Sequence, residues 1–268
     1  MPPGLRQRDG NPAAPPYSNG PYDTDQEHRF NAKVDLSGNF DRYELVENFT
    51  KLPQLNASID QVYTTEAARN CNTNFEILGT GASDDDVTFS ATVAGLQLQT
   101  DTGSADQVIV LPHLDTKYSA WTGIKWGTEN QVEWECIIRT DASITAVTIW
   151  AGLKLTNTSV VATDANQVMF RFDGGVANWE AVTSIANTDT ETDTGAANVV
   201  AINTVYKLKI TINSSRIAKF YINNVLVHTT AALTNDIDFI PYVGIQTTTT
   251  AAKTIQLVKQ RISRIVFE

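Results

Sequence analysis

Apolar and polar residues alternate most clearly in Val205-Tyr206-Lys207-Leu208-Lys209-Ile210-Thr211-Ile212. Tyr206, Leu208, Ile210 and Ile212 fall on one side, and Lys207, Lys209 and Thr211 on the other. A period of two is that of a strand with one face in a core and one in water. Asn213-Ser214-Ser215 then turns the chain into Ala218–Ile222, and Asn223-Asn224 turns it back into Val225–His228. Asn tolerates positive φ, so the second turn is predicted to be a two-residue hairpin of the primed type. Further strands are predicted at Phe75–Leu78, Val87–Ala91, Leu96–Thr100, Asp106–Leu111, Gln131–Thr140, Ile144–Leu155, Gln167–Asp173, Trp179–Ile185, Phe239–Gln246 and Thr254–Phe267. Only Ser58–Arg69, with Ile59, Val62, Tyr63 and Ala67, approximates a helical period. About a dozen short strands with almost no helix predict an all-β fold, an antiparallel sandwich or barrel.

The first 40 residues have a different texture. Six of the nine prolines lie within residues 1–21, interleaved with Gly4, Gly10, Gly20, Asn11 and Asn19. Proline lacks the backbone donor and glycine raises the entropy of ordering, so this stretch is expected to be extended and irregular on its own. The chain therefore divides into an extended arm, 1–40, and a β-sandwich domain, 41–268. Rings recur along the arm at Tyr17, Tyr22 and Phe30, which are expected to anchor it on a neighbouring subunit. The bland alternative is a solvated tail.

Charge narrows the partners. The chain carries a formal charge of −10 and no cluster of Lys and Arg, which disfavours wholesale nucleic-acid binding. No window approaches the length of a membrane span, so no membrane partner is expected. Cys71 and Cys136 have neither metal-ligand spacing nor the numbers of a disulfide framework. With no apolar leader at Met1-Pro2-Pro3-Gly4, they read as thiols of a protein made in a cytoplasm.

The run Tyr206-x-Leu208-x-Ile210-x-Ile212 followed by Phe220-Tyr221-Ile222-Asn223-Asn224-Val225 resembles the late hairpin of concanavalin A-like (laminin G-like) jelly rolls. Pro241–Gln246 and Ile255–Phe267 are similar to that family's last two strands, and Tyr43–Phe49 to the opening strand that pairs with the final one. Glu133-x-Glu135-x-x-Ile138 and Trp150-Ala151-Gly152-Leu153 add to the likeness, although Asn224 stands where Gly is commoner. The resemblance spans about residues 41–268 and defines a fold more than an activity. Behind a Pro-rich arm, such domains resemble virion proteins of tailed phages. It implies a capsid decoration or cement protein, located in the virion and bound to the major capsid protein or another virion protein. A homo-oligomer, dimer or trimer, is expected, with no cofactor and no enzymatic activity. The alternative is a glycan-binding module of a tail fibre or receptor-binding protein.

The fold also hosts glycosidases, in which a retaining pair of carboxyls stands about 5–5.5 Å apart. Glu133 and Glu135 share one strand face, but the glucanase pattern Glu-x-Asp-x-x-Glu is not met: Glu135 replaces its Asp and Ile138 its second Glu. Two acidic loops are read as solvated, Asp84-Asp85-Asp86 and the run holding Asp189, Glu191 and Asp193. The second alternates like the start of an EF-hand, yet Thr194 and Val200 occupy the positions of that loop's Gly and bidentate Glu. His28, His113 and His228 form no ligand pair. Of the five tryptophans, Trp121 and Trp126 sit in a predicted loop and are the candidates for stacking on a sugar, while Trp134 and Trp150 are expected in the core.

Overall fold

The computed structural model of the 268-residue chain describes residues 32–34, 42–55, 72–113, 119–156 and 164–266. Tyr17, Tyr22, Phe30, Cys71 and the helix expected at 58–69 lie outside them.

Among the described residues eighteen strands form two sheets. In chain order they are β1 (Ala32–Val34), β2 (Arg42–Glu47), β3 (Pro53–Leu55), β4 (Asn72–Leu78), β5 (Val87–Phe89), β6 (Leu96–Gln99), β7 (Gln107–Pro112), β8 (Trp126–Gly127), β9 (Glu133–Thr140), β10 (Val147–Lys154), β11 (Asn166–Asp173), β12 (Glu180–Ile185), β13 (Thr188–Asp193), β14 (Val205–Ile212), β15 (Ile217–Ile222), β16 (Val225–Ala232), β17 (Asp238–Thr247) and β18 (Thr254–Ile265). Sheet I runs β1-β2-β18-β9-β14-β15-β16, with β6 also on β18 and β5 on β6. Sheet II runs β13-β12-β11-β10-β17-β7-β4-β3, with β8 on β17. Every ladder is antiparallel except β3 with β4.

The period-two reading of β14 holds: Tyr206, Leu208, Ile210 and Ile212 are buried, and the residues between them are not. At the β15–β16 turn Asn223 and Asn224 have φ of 50° and 69°, the primed geometry that matches the twist of the flanking strands. The opening strand β2 pairs with the closing strand β18, as the resemblance implies. Between the sheets one core joins Leu45, Phe75, Val110, Trp134, Ile149, Phe170, Leu208, Phe220, Ile245 and Ile262, among others. Strands β14 and β15 overlie β11 and β12: Phe220 meets Phe170 edge-on at 5.1 Å, and Tyr206 meets Trp179 at 5.6 Å.

Three expectations are corrected. Ala120–Gly123 is not a loop but a single helical turn, α1, capped by the Ser119 side chain on the Trp121 N–H. The acidic run is an edge strand, β13, and not a loop. Ala32–Val34, expected within the irregular arm, pairs with β2.

Candidate functional site

Four places carry polar or aromatic chemistry. On the outer face of sheet I, β9 presents Glu133, Glu135 and Arg139, because Trp134, Cys136 and Ile138 between them fill the core. Glu133 accepts from Arg261 at 2.7 Å, and Arg261 also reaches Glu44 at 3.0 Å. Glu135 pairs with Lys207 at 3.0 Å. Each candidate carboxylate is thus tied to a cation on a neighbouring strand, and the pair forms part of a cross-strand ionic lattice. Lys209 lies over the Tyr221 ring at 4.5 Å.

The second place is the α1–β8 segment. Trp121 and Trp126 are 1% and 0% exposed, so neither ring is a platform for a sugar. The correction has a clear origin: α1 turns Trp121 inward, where it packs edge-on against Phe75 at 4.9 Å. Trp126 pairs through β8 with Phe239 and donates its indole N–H to the Trp121 carbonyl at 2.8 Å. All five tryptophans are buried.

Third are the acidic segments. Asp84–Asp86 form a short 3-10 turn in which the Asp86 carboxylate accepts from the Ser83 N–H at 2.7 Å. On β13, Glu191 and the neighbouring Glu180 both grip Arg171, at 2.6 and 2.8 Å, while Asp193 accepts from Asn178. Ser184 donates to Asp189. Among the described residues no group of three or more His, Cys, Asp or Glu side chains is arranged to hold a metal ion.

The fourth place escaped the sequence reading: the outer face of sheet II. Every residue of β10 is buried, because Val147, Ile149, Ala151 and Leu153 enter the core while Trp150 and Lys154 enter a second cluster outside it. That cluster joins Trp150 to Leu78, Ile109, Leu111, Met169, Val182 and Tyr242. An unbroken apolar run such as β10 signals a strand covered on both faces. The Tyr242 hydroxyl donates to the Met169 sulfur, and its pKa is pushed well above the ordinary value by burial, then by Asp164 and Asp189.

Lys154 closes this face. It is wholly buried, 3.8 Å from the Asp164 carboxylate and over the Tyr242 ring. Burial pulls its ammonium down to about 8, against the opposing effect of Asp164. A lysine whose folded pKa lies below its unfolded value binds fewer protons when folded, so stability rises with pH between the two values. From about pH 7 to about pH 9.5, Lys154 is expected to add about 2 kcal/mol. Cys136 and Tyr242, both raised by burial, act in the opposite sense in this range or above it. The informative quantity is therefore the difference in urea midpoint between wild type and Lys154→Met, which should widen in favour of wild type as pH rises. A difference independent of pH would show that the ammonium is not desolvated.

The exposed large apolar side chains include Val199, Ile202, Val205, Val225 and Leu226. The segment linking β13 to β14 and the β15–β16 turn bring these five to one end of the sandwich, since the Asn223 N–H bonds to the Lys207 carbonyl.

The sequence matches no protein-family model and no curated protein. Solved structures do match. A Shewanella oneidensis MR-1 protein of unknown function aligns with a TM-score of 0.56 at 14% identity, over 94% of this chain and 97% of that one. A Bacillus licheniformis β-glucanase aligns at 0.53 and 9% identity, over 84% and 98%. The carbohydrate recognition domain of Emp46p aligns at 0.51 and 10%, over 81% and 96%. The fold is the concanavalin A-like jelly roll. The structures that share this fold include both an enzyme and a recognition domain, and identities this low carry the architecture alone.

Proposed function

We propose that this jelly roll is a structural virion protein, a decoration or cement protein that binds the outer surface of a capsid and stiffens it by bridging subunits. The observation that carries this reading is the distribution of adhesive surface. The tryptophans are internal, the outer face of sheet II is filled by its own apolar cluster, and the carboxylates of sheet I are paired with cations. Five of the exposed aliphatic side chains, Val199, Ile202, Val205, Val225 and Leu226, instead gather at one end, while Ile185 and Val266 stand apart from one another elsewhere. A patch of that kind is what a protein partner covers. In this reading the arm, residues 1–40, makes a second contact, with Tyr17, Tyr22 and Phe30 as its anchors.

A second reading, the glycan-binding module of a tail fibre, is favoured by the likeness to a carbohydrate recognition domain and a glucanase. Its sugar contacts would have to come from side chains other than Trp121 and Trp126. One experiment separates the two. Purified full-length chain is added to undecorated capsids of the virus that encodes it, and their thermal rupture is followed beside a glycan-array screen. A rise in rupture temperature with no glycan bound supports the cement reading. Unchanged rupture with a reproducible glycan supports the fibre reading.

A further inference from the structure

The two sheets end side by side in very different strands. Because β14 and β15 overlie β11 and β12, the terminal strands β16 of sheet I and β13 of sheet II lie along the same side of the sandwich. Among the described residues each pairs on one side only, β16 with β15 and β13 with β12. Strand β13 is defended in the usual manner of an edge, by Asp189, Glu191 and Asp193 on its outer face. Strand β16, Val-Leu-Val-His-Thr-Thr-Ala-Ala, has neither a formal charge nor a proline. Val225 and Leu226 stand 64% and 48% exposed at its start. Two register shifts in the β15–β16 ladder bend this eight-residue edge, but it lacks the charges that guard β13 and so remains free to pair.

We infer that β16 of one copy pairs antiparallel with β13 of a second copy, and β13 with β16 reciprocally, in a two-fold dimer. The directions allow it. Three antiparallel ladders lead from β9 to β16 and three from β10 to β13, so β16 and β13 keep the relative sense of β9 and β10. Residues 141–146 join those two across the sheets and are too short to run back along a strand, so β16 and β13 run in opposite senses. A two-fold axis along the strands preserves those senses and continues sheet I of each copy into sheet II of the other. The outer faces then coincide. Lys219, on the outer face of β15, lies one strand behind β16, and neighbouring strands are about 4.8 Å apart. Its side chain therefore reaches towards the carboxylates of the partner's β13. The same axis brings the exposed apolar ends of both copies to one end of the dimer.

Charge selects this pairing over β16 with β16. That alternative sets the three β13 carboxylates of each copy against those of the other, in a chain already at −10. The inference does not depend on the capsid reading, and each can fail alone.

The test is sedimentation velocity of the full chain over a wide concentration range, for wild type, Leu226→Glu and Leu226→Lys. Leu226 is half-exposed and opposite Tyr221 on the outer face, so both variants should keep the wild-type circular dichroism and melting temperature. A monomer–dimer equilibrium is expected for wild type. Leu226→Glu, placed against the partner's carboxylates, should weaken it by about tenfold or more, while Leu226→Lys should leave it unchanged or tighter. A monomer at all concentrations, or a stoichiometry other than two, overturns the inference. So does equal weakening by both charges, the behaviour of a β16–β16 contact.

Discussion

Replacing Trp126 by alanine is expected to cost about 3–5 kcal/mol of folding stability, the usual loss for a large aromatic removed from a core. Its ring is fully buried, lies 6.3 Å from that of Tyr43, and donates to the Trp121 carbonyl. Removing it opens a cavity between β8, α1 and β2 and leaves that carbonyl without its indole donor. Urea denaturation followed by far-UV circular dichroism gives the loss directly, and the melting temperature should fall by about 10 °C for a domain of this size. A Trp126→Ala protein as stable as wild type, but changed in ligand binding, would restore the exposed sugar platform that the sequence suggested.

Gly152→Ala is expected to be strongly destabilising for a single added methyl group, at about 3 kcal/mol. Gly152 sits mid-strand in β10, opposite Tyr242 on one side and Met169 on the other. A Cβ there would stand 2.4 Å from the Val168 carbonyl oxygen and 2.5 Å from the Met169 Cα. Both are backbone atoms of β11, so no rotamer change relieves the clash and the two central strands must part. The gain from a less flexible unfolded chain, about 0.4–1 kcal/mol, does not offset this. Gly175→Ala is the matched control: its added Cβ has the Asp173 carboxylate oxygen at 3.6 Å as its nearest contact, so its folding stability should change by no more than about 0.5 kcal/mol. Equal midpoints for the two variants would mean that β10 and β11 are not packed this closely.

The contrast between these sites shows what sequence pattern can and cannot carry. Strands with one face in the core and one in water announce themselves, and β14, β15 and the Asn223-Asn224 turn were legible residue by residue. Strand β13 was not, because an edge strand buried on neither face has no apolar period and reads as an acidic loop. Trp121 and Trp126 were misplaced for a related reason. One helical turn and a two-residue strand are too short to show periodicity, yet they suffice to turn both rings inward. Lys154 left a faint signal, a lone cation ending the apolar run of β10, whose meaning depends on what covers the outer face of sheet II. The open edge at β16 was visible only as an absence of charge. Its importance comes from the sheet order, which places it beside β13 although more than thirty positions separate them in sequence.

The most direct measurement of the proposed capsid role is co-sedimentation of the whole 268-residue chain, and of residues 41–268 alone, with undecorated capsids of candidate tailed phages. The account predicts saturable binding of the full chain at a fixed ratio to the major capsid protein, and binding of the shortened chain weakened by about tenfold or more. Failure of the full-length chain to sediment with those capsids would contradict it.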